Sequence, residues 1–205
     1  MRPPFSAAQF FQVFAAYNTA LWPAVLALWL ASVATVLALV RGRPSDRWLA
    51  GLLAVLWAWG GVAYHAAFFS RINPAARLFA ALFVIEALVF LRMAGAGTLR
   101  FGWGRSPRHL LAAALLVCAL AYPGLAVASG HPYPATPTFG VPCPTTLFTG
   151  GLLLAARPRV PRWPVVVPVV WSAIGGSAAL LLGVTPDLML FPAGAALAVY
   201  AFRPA

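Results

Sequence analysis

Residues 20–40, 48–69, 109–128 and 164–183 contain no Asp, Glu, Lys or Arg. About 20 such residues, wound as a helix at 1.5 Å each, match the ~30 Å hydrocarbon layer of a bilayer. Two further runs are nearly as apolar: 76–92 holds Glu86 near its middle with Arg77 and Arg92 at its ends, and 186–202 holds Asp187. The composition agrees, being 62% hydrophobic and 8% charged, where a soluble domain is about 45–50% apolar and about 25% charged. A water-soluble fold of 205 residues cannot hide that much apolar surface. The sequence therefore predicts an all-α, polytopic transmembrane helix bundle, a single integral membrane domain over 1–205.

Two segments depart from this pattern. Residues 5–18 carry a capping box at Ser6 and Gln9, then Phe10, Phe14 and Tyr17 on one helix face. They predict an N-terminal interfacial helix (1–18) that ends at Asn18, with Pro23 in the first turn of the next helix. Residues 144–156 are apolar but would reach only ~20 Å as a helix. They overlap the end of the proline-rich stretch His131–Gly151, which holds no arginine and no acid. With this short fifth helix there are seven membrane helices: 20–40, 48–69, 76–92, 109–128, 144–156, 164–183 and 186–202. Pro123–Gly124, Pro168 and Pro192 fall inside three of them.

Arginine sets the orientation. The net charge is +11, and all the basic residues apart from histidine are arginines in the gaps between apolar runs. That placement reads as topology and anionic-lipid contact, with no nucleic acid as partner. Seven spans put Arg2, Arg71 and Arg77 on one side and the other eleven arginines on the opposite side. Six spans would give seven against seven. The steep split favours seven, with the N-terminus out and the C-terminus in. A helix too short to cross must then start below the outer surface, fed by a re-entrant proline-rich loop lining a wet cavity or buried in protein. Arginine without lysine, beside abundant Ala, Pro and Gly, is typical of GC-rich bacterial coding and assigns the chain to a bacterial inner (plasma) membrane.

Nearly every polar oddity falls toward the outer side. Cys143 precedes Pro144, and proline favours the first helical position, so Cys143 is the expected N-cap of the fifth helix. The positive end of a helix dipole favours a soft metal ligand or a nucleophile there; a small apolar residue in a tight turn is the plainer alternative. Thr145 and Thr146 would occupy the first turn, holding an anionic group or simply capping. His65, His131 and Cys143 together would suit copper or zinc, although hydrogen-bonded interfacial histidines are commoner. Tyr133 shares the loop with His131. Glu86 would cost at least ~2.5–3.5 kcal/mol if charged at the bilayer centre, and His65 is its nearest candidate partner. Asp187 after Pro186 would cap the last helix, and Asn73–Pro74 would start the third. Tyr17 and Asn18 add a polar, aromatic lining, or belt anchors. His109 falls on the opposite side as a lipid-facing charge.

The pieces FFQVFAAYN, WAWGGVAYHAAFFSRINPAA, HPYPATPTFGVPCPTT and WSAIGGSAALLLGV resemble a bacterial family of polytopic membrane proteins of unknown function. The resemblance covers most of the chain, and YPATPTFGVPCPTT is its most specific part. It implies a multi-span membrane protein and brings no catalytic or binding residue with it. The expected function is an outward-facing polar pocket that binds or transports a small solute or metal ion. A metal- or thiol-dependent membrane enzyme is one alternative. A structural or accessory subunit, packing on a homo-oligomeric or other partner through small residues such as Ser172–Gly176, is another.

Overall fold

The structure, a computed structural model, describes residues 4–43 and 45–202. Arg2 and Arg203, counted above for orientation, lie outside the described residues. The first helix, α1 (Ala7–Val40), begins with the expected capping box: Gln9 N donates to Ser6 Oγ and Ser6 N to Gln9 Oε1. It then runs through Asn18 and Pro23 without a break. The expected separate interfacial helix is thus a correction. Asn18 spends its amide on distant backbone rather than on ending its own helix. Its Nδ2 donates to Pro134 O and Thr136 O, both at 2.7 Å, and its Oδ1 accepts from Thr138 Oγ1 at 2.6 Å. Pro23 removes one helical hydrogen bond, a loss that a long helix can accommodate.

α2 (Asp46–Trp59) continues as a π-helix over Gly60–Phe68 and a 3₁₀ turn over Phe69–Arg71. α3 is Ala76–Ala96, ended by Gly97 in the left-handed conformation (φ 61°). α4 is Pro107–Ala128 and carries Pro123 without ending. α5 is Pro142–Leu154, the short helix expected near 144–156. α6 (Val166–Leu182) and α7 (Leu190–Phe202) each follow a 3₁₀ turn, at Trp163–Val165 and Thr185–Met189. Pro168 and Pro192 therefore sit in first turns, where the missing N–H costs nothing. Six helical segments are long and apolar enough to cross a membrane, and α5 is not among them. Large apolar side chains such as Leu78, Leu110, Val117 and Leu180 stand exposed on the outside of the bundle, as lipid-facing side chains do.

The core is built around α5. Apart from half-buried Cys143, every residue from Pro142 to Ala156 is buried. α4 lies closest: a methyl on Gly151 would sit 2.6 Å from Leu116 Cγ and 3.0 Å from Ala112 O. Trp57 of α2 donates from Nε1 to Thr149 Oγ1 at 2.9 Å.

The connecting segments gather at two ends. At one, Asp46 accepts from Phe101 N at 2.8 Å and pairs with Arg100 at 3.2 Å. There Phe101 and Ala156 form an isolated antiparallel bridge. At the other end, Phe5 meets Phe69 edge-on at 5.4 Å and His131 stacks on Phe11 at 3.9 Å. His109, expected to face lipid, is instead buried at the first end, packed on Gly104 and bonded to Ser106 Oγ.

Two substitutions test this packing. Gly151→Val should lower stability by about 1–3 kcal/mol through overpacking against α4, read as a fall in the thermal midpoint of detergent-purified protein. Asn18→Asp keeps the acceptor for Thr138 but points a carboxylate at two carbonyls. It should loosen the 131–141 loop, seen as faster proteolysis there, while Gln9→Ala leaves that rate unchanged.

Candidate functional site

A cavity of about 200 Å³ opens at the aromatic end, between the start of α1, the π-helical part of the second span, the loop before α5, and α6. Its walls are mostly rings: Phe5, Phe10, Phe14, Tyr64 and Phe69. These hold one another, with Phe14 stacked on Tyr64 at 5.6 Å and Tyr64 on Phe69 at 5.8 Å. Such contacts fix ring positions beyond what area burial alone would do.

Three polar functions line the cavity. Asp187 is buried, and Tyr122 of α4 donates its hydroxyl hydrogen bond to Asp187 Oδ1. Cys143 lies beside both the Asp187 carboxylate and the Trp171 indole. Trp171 Nε1 is buried against the Cys143 sulfur. Gly175 makes room for all of this: a methyl there would lie 3.2 Å from Trp171 Nε1, 3.5 Å from Cys143 Sγ and 2.8 Å from Leu190 Cδ1. A thiol, a carboxyl–phenol pair and an indole N–H thus face one small apolar space.

Two sequence expectations change here. The N-cap of α5 is Val141, with Pro142 in the first turn, so Cys143 lies inside that turn rather than capping it. Two prolines compete for the same role, and the earlier one takes it. Asp187 does not cap α7: it sits inside the 3₁₀ turn and its carboxylate turns inward to Tyr122. A buried phenol needs a partner more than a helix end already tightened by 3₁₀ bonds does.

The other expected residues are placed as follows. Asn73 lines the cavity, and its Oδ1 accepts from Ala75 N at 3.1 Å, forming the expected helix-start turn. His65 stands behind Trp171, their rings 5.0 Å apart, in a box completed by Phe79 and Phe83. Both its ring nitrogens lack a partner, as does Glu86 Oε1, so no hydrogen bond joins His65 to Glu86. Glu86 is buried on α3 beside Ala87, away from the cavity lining. Thr146 bonds back to Pro142 O at 2.9 Å, while Thr145 Oγ1 is buried without a partner. Tyr17 accepts from Trp59 Nε1 at 2.6 Å, and both rest against Gly140, whose φ of 87° suits glycine. Tyr133 is exposed and lines a separate open groove between α1 and α4, with Asn18 and Trp22. Among the described residues, no three His, Cys, Asp or Glu side chains gather as a ligand set.

Tyr122 and Trp171 are two polar lining residues absent from the sequence expectations. A tyrosine in the middle of an uncharged run is a usable signal, because its hydroxyl must find a partner in the bundle, and Asp187 is the acid at the matching end.

No curated protein and no solved structure matches the chain. The model of a family of unknown function, DUF6064, matches residues 7–205. The YPATPTFGVPCPTT run, which forms the loop and first turn of α5, lies inside that match, and the chain belongs to the DUF6064 family.

Proposed function

We propose that the chain is a seven-span protein of a bacterial inner membrane, N-terminus out, and that its aromatic-walled cavity takes a small solute from the outer side. The observation that carries this is the cavity itself. An apolar space closes over Cys143, the Tyr122–Asp187 pair and the Trp171 indole N–H. Such a space favours a solute with an apolar body and one or two hydrogen-bonding groups.

The burial of the loop supports a re-entrant path. Thr136, Phe139 and Val141 are each no more than 3% exposed, and Asn18 satisfies the carbonyls of Pro134 and Thr136. Backbone carrying such partners can lie at membrane depth. Orientation rests on the arginines: the segments around Asp46, Phe101 and Ala156 meet at one end, and these connections carry most of the positive charge. A thiol-dependent reaction at Cys143 is the second reading; it rests on the thiol's place in the cavity wall and needs Asp187 beside it as the proton acceptor.

Two measurements test this account. A fluorescent protein fused after the C-terminus should glow, and alkaline phosphatase inserted between Pro132 and Tyr133 should be active; the opposite pattern ends the proposed orientation. In a Cys118→Ala background, N-ethylmaleimide should alkylate Cys143, and Gly175→Ala should slow that reaction by placing a methyl beside the sulfur. Any solute found by thermal-shift screening should protect Cys143 and lose its effect in Gly175→Leu. Equal alkylation rates with and without such solutes would remove the cavity from the proposal. A stable covalent adduct on Cys143 in intact-mass spectra would favour the reactive reading.

A further inference from the structure

At the end opposite the aromatic cavity, Arg100, Arg108, Arg157, Pro158 and His109 line a separate hollow of about 540 Å³. It is not a loose cluster of surface charge. Arg157 N donates to Arg100 O at 2.7 Å and Gly102 N to Ala155 O at 3.1 Å, so two strands of connecting backbone are tied side by side. Arg157 also donates through its guanidinium to Trp103 O. A methyl on Gly102 would collide with the Arg157 side chain, 2.8 Å from its Cδ, so glycine lets the arginine lie across the loop. Arg100 is braced by Asp46 at 3.2 Å, the one carboxylate paired with this group among the described residues.

The second observation is His109. It is only 6% exposed, and its Nδ1 meets Ser106 Oγ at 2.7 Å. Its other nitrogen, Nε2, is buried at the wall of the hollow, where the Gly102 backbone is its protein neighbour. In the tautomer in which the Ser106 hydroxyl donates to Nδ1, Nε2 carries the ring proton and is a donor at that wall. The residue also lies in the first turn of the 22-residue helix α4, where the dipole adds positive potential. Three guanidiniums, a buried imidazole and a helix start therefore converge on one hollow whose lining holds no carboxylate.

We infer that this hollow binds a phosphate group, bidentate guanidinium pairs being the geometry that phosphate oxygens select. The phosphate belongs either to the headgroup of an anionic phospholipid or to a free phosphate compound. Arg108, Arg157 and His109 make the contacts, and Arg100 steers.

The test uses the full-length protein, stripped of lipid in neutral detergent and followed by native mass spectrometry. Phosphatidylglycerol, phosphatidylcholine and inorganic phosphate are titrated separately. Wild type should retain phosphatidylglycerol in preference to phosphatidylcholine, or bind inorganic phosphate, and the double variant R108Q/R157Q should weaken that binding roughly tenfold or more. His109→Phe keeps a ring on Gly104 but removes both nitrogens and the Ser106 bond, whereas Ser106→Ala removes that bond alone; only the first should weaken binding. Arg105→Gln, a nearby exposed arginine outside the lining, should change nothing. Binding of phosphatidylglycerol that inorganic phosphate does not displace assigns a headgroup site, and displacement assigns a free-phosphate site. Two outcomes overturn the inference: R108Q/R157Q and H109F bind every probe as wild type does, or R105Q costs as much as R108Q, which would leave only diffuse surface charge.

Discussion

Helix α5 has almost no exposed side. Thirteen residues, ~20 Å of helix, are enclosed by α4, α7, α6 and α2, with one partly open position at Cys143. In a membrane this arrangement gains nothing from excluding water between helices, so close packing and satisfied polar groups must hold it. Gly151 lets α4 approach to backbone contact, and Thr149 receives the Trp57 indole N–H. Gly194 does similar work between α7 and α6, where a methyl would lie 2.6 Å from Ser172 Cβ. The long outer helices are arranged by what they must cover.

A short central helix leaves both of its ends below the reach of the outer helices, and the chain completes each end differently. Its C-terminal end runs into backbone paired with the α3–α4 connection through Phe101 and Ala156. Its N-terminal end is supplied by a loop whose carbonyls are held by Asn18 and whose wall is aromatic. Paired backbone makes the arginine end a fixed frame for charge. Rings and a small cavity make the other end a place where a guest can enter without breaking a ladder of hydrogen bonds.

Much of this was legible from residue patterns. The apolar runs located every long helix, because an uncharged stretch of that length has few other fates. The brevity of α5 and the special loop before it were also visible. What misled was local chemistry overruled at a distance. Asn18 has the side chain of a helix terminator, yet its amide is claimed by carbonyls more than a hundred residues away. Asp187 has the position of a cap, yet a phenol from α4 claims it. Of the expected site, Cys143, Asp187 and Asn73 do line one cavity, while His65, Glu86 and Thr145 lie elsewhere in the core. Spacing along a chain cannot say which face of a helix meets which neighbour, and that face decides membership of a cavity.

The π-helical stretch Gly60–Phe68 has a consequence of its own. In an α-helix each residue turns the chain by about 100°; a wider winding accumulates less rotation over the same count. Tyr64 and His65 reach the bundle interior, and Phe69 the aromatic wall, because of that altered phase. The two glycines at its start, pressed against Phe83 and the Ala80 carbonyl, mark where the phase changes. A chain shortened by one residue here would regain ordinary winding and rotate everything upstream relative to everything downstream. The second span therefore tolerates exchange of side chains far better than any change in its residue count.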